Sequence, residues 1–578
     1  MRRHQEKFLL LLILILAFFL RFWRLAENPP SLNWDEVSHG YNAYSILKAG
    51  KDEWGVRFPT IFRAFGDYKL PVYIYLTAVS VKLFGLNELA VRLPSAFWGA
   101  LGVLGMYLLA KELFVNSSTS QDAIPACAGR RQPPRFLSGL HSDTLRVSLP
   151  FIVSFLLAVE PWGLFLSRVA VEANVAMVLI IVGVYLFIKG LKNGWWLVVS
   201  AVIFGLSLFT YNSARIFVPL LIGALVWIYR GDWGNKGNKK DKAAGLLAGL
   251  VFLFFFGAML VSLFSVSGRA RYQWVSLIDE GAIQRINQVR GESNLPGILP
   301  ILFYNKATYI VTQFTKNYVS HFSPQFLFFK GGSHYQFNIP NFGLLYPVNI
   351  PFILIGFWYL FQARSQTSKT IFAWLLLAPI ASSITRDSPH TLRALVMLPV
   401  WQILAGVGVI GVIGEIRERK AKIILLILYL SLITYHLSLF WLIYFSSYRQ
   451  EYSWAWQYGC KEVVSFIKEN YDRYDKIIVT KKYGEPHEFI LFYWPWDPEE
   501  YRKDPNLVRY FRTDWYWVDS FDKFKFVDDW EIEENVKCQM SNVKCLLIIS
   551  SGNYPQEWEK IETIYFLDGK PAFEILER

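Results

Sequence analysis

Long apolar runs recur along this chain of 578 residues, and they limit its fold more than any other feature. A run of about 20 apolar residues spans the roughly 30 Å hydrocarbon core of a bilayer as a helix. The sequence predicts about eleven such spans. The first runs from about Phe8 to Phe22, and the others lie near 91–113, 148–160, 173–190, 195–210, 214–229, 244–264, 342–361, 370–385, 394–413 and 421–444. The first follows Met1-Arg2-Arg3, lacks a small-residue cleavage site and ends in Arg21-Phe22-Trp23-Arg24, so it reads as an uncleaved span rather than a secretion signal.

The formal net charge of +13 would suit a nucleic-acid binder, but its placement does not. Lysines and arginines concentrate in short connections between apolar runs, as topological anchors do, so no nucleic-acid partner is expected. Arg2, Arg3 and Lys7, Lys189 and Lys192, Lys236 to Lys242, Arg364 and Lys369, and Arg417 to Lys422 fall on one side if the N-terminus is cytoplasmic. This topology faces three longer segments outward: 24–90, 265–341 and everything after about 445. A plasma (inner) membrane protein with a cytoplasmic N-terminus is predicted.

The outward tail, 445–578, carries a helix-like stretch near 460–471. Short β-rich runs follow, Lys476-Ile477-Ile478-Val479-Thr480 and Cys545-Leu546-Leu547-Ile548-Ile549. Such alternation predicts a small extracytoplasmic α/β domain. Residues 116–146 are polar and aperiodic and read as a disordered cytoplasmic insert. Pro71 to Leu83 would make a helix only about 20 Å long, too short to span, and is expected to lie along the interface with Tyr73 and Tyr75 at its surface. Cys538 and Cys545 either pair in an oxidising compartment or stay free.

Candidate chemistry gathers on the outer side. WDEVSHGYNAY, beginning at Trp34, sets Asp35 and Glu36 just beyond a span. Adjacent helical residues point about 100° apart, so one can face a cavity while the other binds structure; a plain helix-capping pair is the competing reading. Glu172, in SRVAVEANVAM, is an acid at the outer end of a span, where a polar cavity or a partner such as Arg168 is needed. Cations recur on the same side: Arg63 and Lys69, Arg215, His390 and Arg393. They would suit phosphate oxygens, although snorkelling to headgroups accounts for any single arginine. His39 and Asp67 complete the first-loop candidates.

WDEVSHGYNAY, followed by FGDYKLPVYIYL (65–76) and AVRLPSAFWGALGVLGMYLLAKELF (90–114), resembles the GT-C membrane glycosyltransferases. The similarity is to the branch of protein O-mannosyltransferases and lipid A aminoarabinose transferases. The match covers roughly the first 230 residues well and the rest of the membrane part loosely. The resemblance implies that Asp35 is catalytic, with Glu36 beside it and Glu172 as a second acid. The family's Lys/His-Pro-Pro element corresponds to Lys69-Leu70-Pro71, with its first proline replaced. Lys69, Arg215, His390 and Arg393 would then hold the donor phosphate. The implied reaction moves a sugar from a polyprenyl-phosphate donor to a protein, lipid or glycan acceptor, with inversion. Asp35, Glu36 and Glu172 could also supply oxygen ligands to a divalent metal ion, though no spacing demands one. A transporter or flippase, and a non-catalytic scaffold, are the alternatives; both leave the clustered outer acids and cations unexplained.

Overall fold

The computed structural model describes residues 2–66, 68–116, 143–234, 239–264, 276–512, 515–532, 543–552 and 557–578. Of the site candidates, Asp67 lies outside these residues, as do most of the 116–146 insert and Cys538. The chain forms two compact units. One comprises 1–21, 97–167 and 172–440; the other comprises 22–96, 168–171 and 441–578.

Helices occupy each of the eleven places where spans were expected. The first is α1 (Arg2–Phe22). Among the described residues, five helical stretches are long and apolar enough to cross a membrane: Glu88–Asn116, Glu172–Gly190, Lys239–Leu263, Leu395–Glu415 and Arg419–Glu451. Others are shorter than expected. The 342–361 run becomes helical at Ile350 after a short 3-10 turn, because Pro347 and Pro351 punctuate its start. The 370–385 run breaks at Pro379 into Gln366–Leu377 and Ile380–Ser383. The segment 265–341, expected to face outward, contains helices of its own at Glu280–Glu292 and Lys306–Ser320. The latter starts from a capping box on Asn305.

The first unit is an apolar helical bundle that leaves hydrocarbon side chains facing outward. Of the most apolar window in Lys239–Leu263, only 6% is buried. Helices Ile350–Ala363 and Leu398–Glu415 cross at backbone contact through glycines. A Cβ on Gly408 would stand 1.8 Å from the Phe352 carbonyl oxygen, and one on Gly356 would stand 1.9 Å from that of Leu404. Small residues permit this approach in membrane helices, where packing rather than hydrophobic exclusion joins the partners.

The second unit contains α2 (Trp34–Ala49), the two-residue strands β1 (Phe62–Arg63) and β2 (Tyr68–Lys69), α3 (Pro71–Phe84) and the start of α4 (Glu88–Lys111). Its largest element is a seven-stranded sheet of order β4-β5-β6-β3-β7-β9-β8. The strands are β3 (Lys476–Thr480), β4 (Val508–Arg512), β5 (Trp515–Phe521), β6 (Phe524–Val527), β7 (Cys545–Ser550), β8 (Glu559–Tyr565) and β9 (Pro571–Glu577). β3 lies parallel to both β6 and β7, and every other pairing is antiparallel. The unbroken apolar runs of β3 and β7 fit central, two-sided burial. With the helix Cys460–Asn470 before β3 and Pro486–Tyr493 after it, the tail has the α/β character expected of it, but it clusters in one unit with 22–96 and 168–171. Cys545 is disulfide-bonded, whereas Cys460 is a buried free thiol.

The interfacial expectation for Tyr73 is corrected. α3 packs on α2 through Ala43, Ile46, Ile74, Ala78 and Val81. Tyr73 is fully buried, with its hydroxyl donating to the Val91 carbonyl at 2.9 Å. Tyr75 donates to the Pro59 carbonyl, also at 2.9 Å. The apolar run was dense enough to pack on a neighbouring helix rather than on lipid alone; Val79 and Leu83 stay outward on the other side.

The glycine crossing gives a direct test. Gly408→Val should cost at least about 2 kcal/mol, because the obstacle is backbone and cannot turn aside. Gly257→Val, with open space around it, should be silent. Thermal midpoints in detergent would separate the two.

Candidate active site

The site is built on the first turn of α2. Asn33 caps the helix: its side chain accepts from the Glu36 amide at 3.0 Å, and the Glu36 carboxylate accepts from the Asn33 amide at 3.2 Å. The cap fixes the direction of both neighbouring acids, and they diverge. Glu36 is 1% exposed and turns inward. Arg92, at the start of α4, grips it bidentately, Nε to Oε1 and Nη2 to Oε2, both at 3.0 Å. The Ala170 amide also donates to Oε1 at 2.9 Å. Each carboxylate oxygen thus accepts two hydrogen bonds, and no face of Glu36 is open to a substrate. The reading of Glu36 as catalytic gives way to a positioning role.

Arg92 spends its remaining donors on the loop before α2. Nη1 reaches the carbonyls of Leu25 (3.2 Å) and Pro29 (2.9 Å), and Nη2 reaches that of Ser31. All five guanidinium donors are used, on a side chain with no exposure. Arg168 supports the same loop, donating to the Asn28 carbonyl at 3.1 Å, and its guanidinium lies over the rings of Trp441 and Tyr444. Sequence reasoning passed over Arg92, although it meets the criterion applied to Arg215 and Arg393, an arginine at the outer end of a span.

Asp35 faces the other way, with 38% of its side chain exposed. Its Oδ1 lies 2.6 Å from Lys69 Nζ. β1 and β2 form a tight antiparallel ladder, Phe62 opposite Lys69 and Arg63 opposite Tyr68, that sets Lys69 immediately before α3. The structure therefore joins the acid and the cation that the sequence nominated separately.

The remaining first-loop candidates are held by aromatic rings. Arg63 lies over Trp54 at 4.8 Å and over Tyr516 at 4.9 Å, so its charge is already engaged. His39 is buried against Tyr73, with ring centroids 5.2 Å apart. The tail sheet braces the hairpin: the Tyr516 amide donates to the Phe65 carbonyl at 2.9 Å, and Trp515 stacks on Phe65.

The other candidates belong to the first unit. Glu172 is the half-buried first residue of its helix, where an acid complements the helix dipole. Arg215 is buried and donates to the Leu208 carbonyl (3.1 Å) and Ser262 Oγ (3.2 Å), joining helices rather than presenting a phosphate site. Arg393 donates to Thr385 Oγ1 at 2.8 Å and lies 3.8 Å from Asp387 Oδ2. His390 packs on Phe337 and accepts from the Arg393 amide. A further acid that sequence reasoning missed, Glu160, is fully buried and accepts from the Tyr346 amide and Asn349 Nδ2. Of the acids suggested for a metal, Asp35 pairs with Lys69 and Glu36 with Arg92.

The family model described as dolichyl-phosphate-mannose-protein mannosyltransferase matches residues 69–125, from Lys69 through α3 and α4. No curated protein sequence matches the chain. Among solved structures, ArnT from Cupriavidus metallidurans bound to undecaprenyl phosphate aligns with TM-score 0.52 at 12% identity, over 98% of this chain and 97% of that one. Its apo form aligns with TM-score 0.51 at 11% identity, over 100% and 98%. The archaeal oligosaccharyltransferase AglB from Archaeoglobus fulgidus, in complex with an inhibitory peptide and a dolichol-phosphate, aligns with TM-score 0.50 at 12% identity over 85% of this chain. This chain spans 64% of the length of AglB. The fold is that of the GT-C membrane proteins, in agreement with the resemblance seen in the first loop.

The buried pair predicts a separation of stability from chemistry. Glu36→Gln should lower stability by about 3–5 kcal/mol, because Arg92 stays buried without its counter-charge. Asp35→Asn, at an exposed pair, should shift it by less than about 1 kcal/mol. Denaturation in detergent, followed by tryptophan fluorescence, reads both.

Proposed function

We propose that this protein is a membrane glycosyltransferase that moves one sugar from a polyprenyl-phosphate donor to an acceptor hydroxyl or phosphate outside the cytoplasm. The observation that carries the proposal is the 2.6 Å pairing of Asp35 with Lys69. A base and a cation in contact are what displacement at a sugar–phosphate bond requires. Asp35 accepts the acceptor's proton as its oxygen attacks the anomeric carbon. The C–O bond to the lipid phosphate breaks with inversion, and the departing phosphate gains negative charge that Lys69 is placed to stabilise.

The pairing also suggests an order of events. A donor phosphate at Lys69 draws Nζ away from the carboxylate, and Asp35 becomes free to serve as base once the donor is seated. The structural relatives favour this donor chemistry: ArnT was solved with undecaprenyl phosphate and AglB with a dolichol-phosphate. An N-terminus in the cytoplasm and a plasma (inner) membrane location follow from the lysine- and arginine-rich short connections. Of the acceptor classes, protein, lipid and glycan all stay in play. Arg393 and Glu172 are carried as further contributors on their positions at span ends.

Transfer from labelled polyprenyl-phosphate sugars in reconstituted membranes tests the reading. Asp35→Asn should lower kcat by about 10²–10⁴ with folding intact. Lys69→Ala should lower kcat/KM for the donor by about 10²–10³. Full transfer by the Asn variant removes Asp35 as base; absence of transfer from every polyprenyl donor rejects the enzyme reading.

A further inference from the structure

A second group of ionisable side chains lies in the unit that carries Asp35, and sugar transfer does not account for it. Glu53 comes from the first loop; Glu485, His487 and Glu488 come from the start of the helix Pro486–Tyr493. Their side chains are 1–4% exposed. His487 Nε2 stands 3.9 Å from Glu53 Oε1 and 3.9 Å from Glu488 Oε1, while its Nδ1 stands 3.4 Å from Glu485 Oε2.

Two cations approach the group. Arg509 Nη2 lies 3.8 Å from Glu53 Oε1 and donates to the Glu53 carbonyl at 3.2 Å. Lys481 is turned to Tyr510 and Asp528. Three buried carboxyls thus face one nearby guanidinium, an arrangement that is costly unless more positive charge joins it. Glu485 Oε2, His487 Nδ1 and Glu488 Oε2 are buried with no hydrogen-bond partner. Native interiors leave few such atoms without a reason.

Either protons or a cation can settle the cluster, and the geometry favours a cation. Glu485 stands behind the imidazole, 3.4 Å from Nδ1, and Nε2 faces Glu53 and Glu488 in front at 3.9 Å each. A carboxylate behind the imidazole and a free ring nitrogen in front is the order found around metal-bound histidines. Ligand atoms of Glu53, His487 and Glu488 all lie within 4.8 Å of one another. Metal–ligand bonds of about 2.0–2.2 Å allow spacings up to about 4.2 Å; the two 3.9 Å pairs at His487 fall within that reach, and an ion would draw the two carboxylates toward each other. We propose that Glu53, His487 and Glu488 bind a first-row divalent ion, zinc or manganese by their mixed imidazole and carboxylate character, with Glu485 orienting the imidazole. The ion clamps the first loop to the tail domain.

Metal analysis of the purified full chain, grown with zinc and manganese supplied, tests this. About one ion per chain is expected in the wild type, lost in Glu488→Gln and in Glu53→Gln. Chelator should lower the thermal midpoint of the wild type but not of these variants. Glu485→Gln should weaken retention about 10- to 100-fold. Two results overturn the proposal. One is a metal-free wild type whose midpoint excess Zn²⁺ or Mn²⁺ does not raise, the behaviour of carboxyls sharing protons. The other is equal metal content in wild type and both variants, which places the ion elsewhere. The wild-type chelation experiment decides even if a variant fails to fold.

Discussion

The buried ion pair between Glu36 and Arg92 is the constraint on which the candidate site depends. An isolated charge in such a place would be prohibitive, yet here both partners are saturated. Four donors meet the carboxylate and five acceptors meet the guanidinium. Such saturation makes the geometry all-or-none, because removing either partner strands the other. The pair ties the loop before α2, the first turn of α2 and the first turns of α4 into one rigid corner. Its value lies in fixing positions, since a well-packed apolar pair could match its stability.

That corner explains how two adjacent acids come to differ. The helical turn separates Asp35 and Glu36 by about 100°, and the cap on Asn33 sets which of them turns inward. Glu36 takes the buried direction and Asp35 is left outward, beside Lys69. The division of labour is thus written in the helix cap more than in the acids themselves.

Much of this was legible in the sequence, for identifiable reasons. Apolar runs are local, so the helices and the strands β3 and β7 were read close to their observed positions. Asp35 and Lys69 stood out through the inferred topology, the other acids and cations on the same side and the GT-C resemblance, since the acidic pair alone reads as a helix cap. Arg92 did not, because alone it is indistinguishable from a headgroup anchor; only its distant partner reveals its purpose. Arg63 erred in the opposite direction: a candidate for phosphate by charge, it is occupied by the rings of Trp54 and Tyr516. The Glu53–His487–Glu488 group was invisible because Glu53 lies more than 400 positions before His487 and Glu488. No local pattern signals that meeting.

The same separation bears on how the protein is made. Gly484, in the left-handed region at φ +114°, leaves room for the Trp34 ring, which would stand 1.9 Å from a Cβ there. The Trp34 amide donates to Gln457, and Arg509 reaches back across 456 residues to Glu53. At roughly 5–20 residues per second, the ribosome needs on the order of half a minute or more to deliver these late contacts after the first loop emerges. Until then α2 stands without its braces. The contacts that brace α2 therefore form only after residues more than 400 positions later have been made, so the first loop depends for its final packing on the late part of the chain.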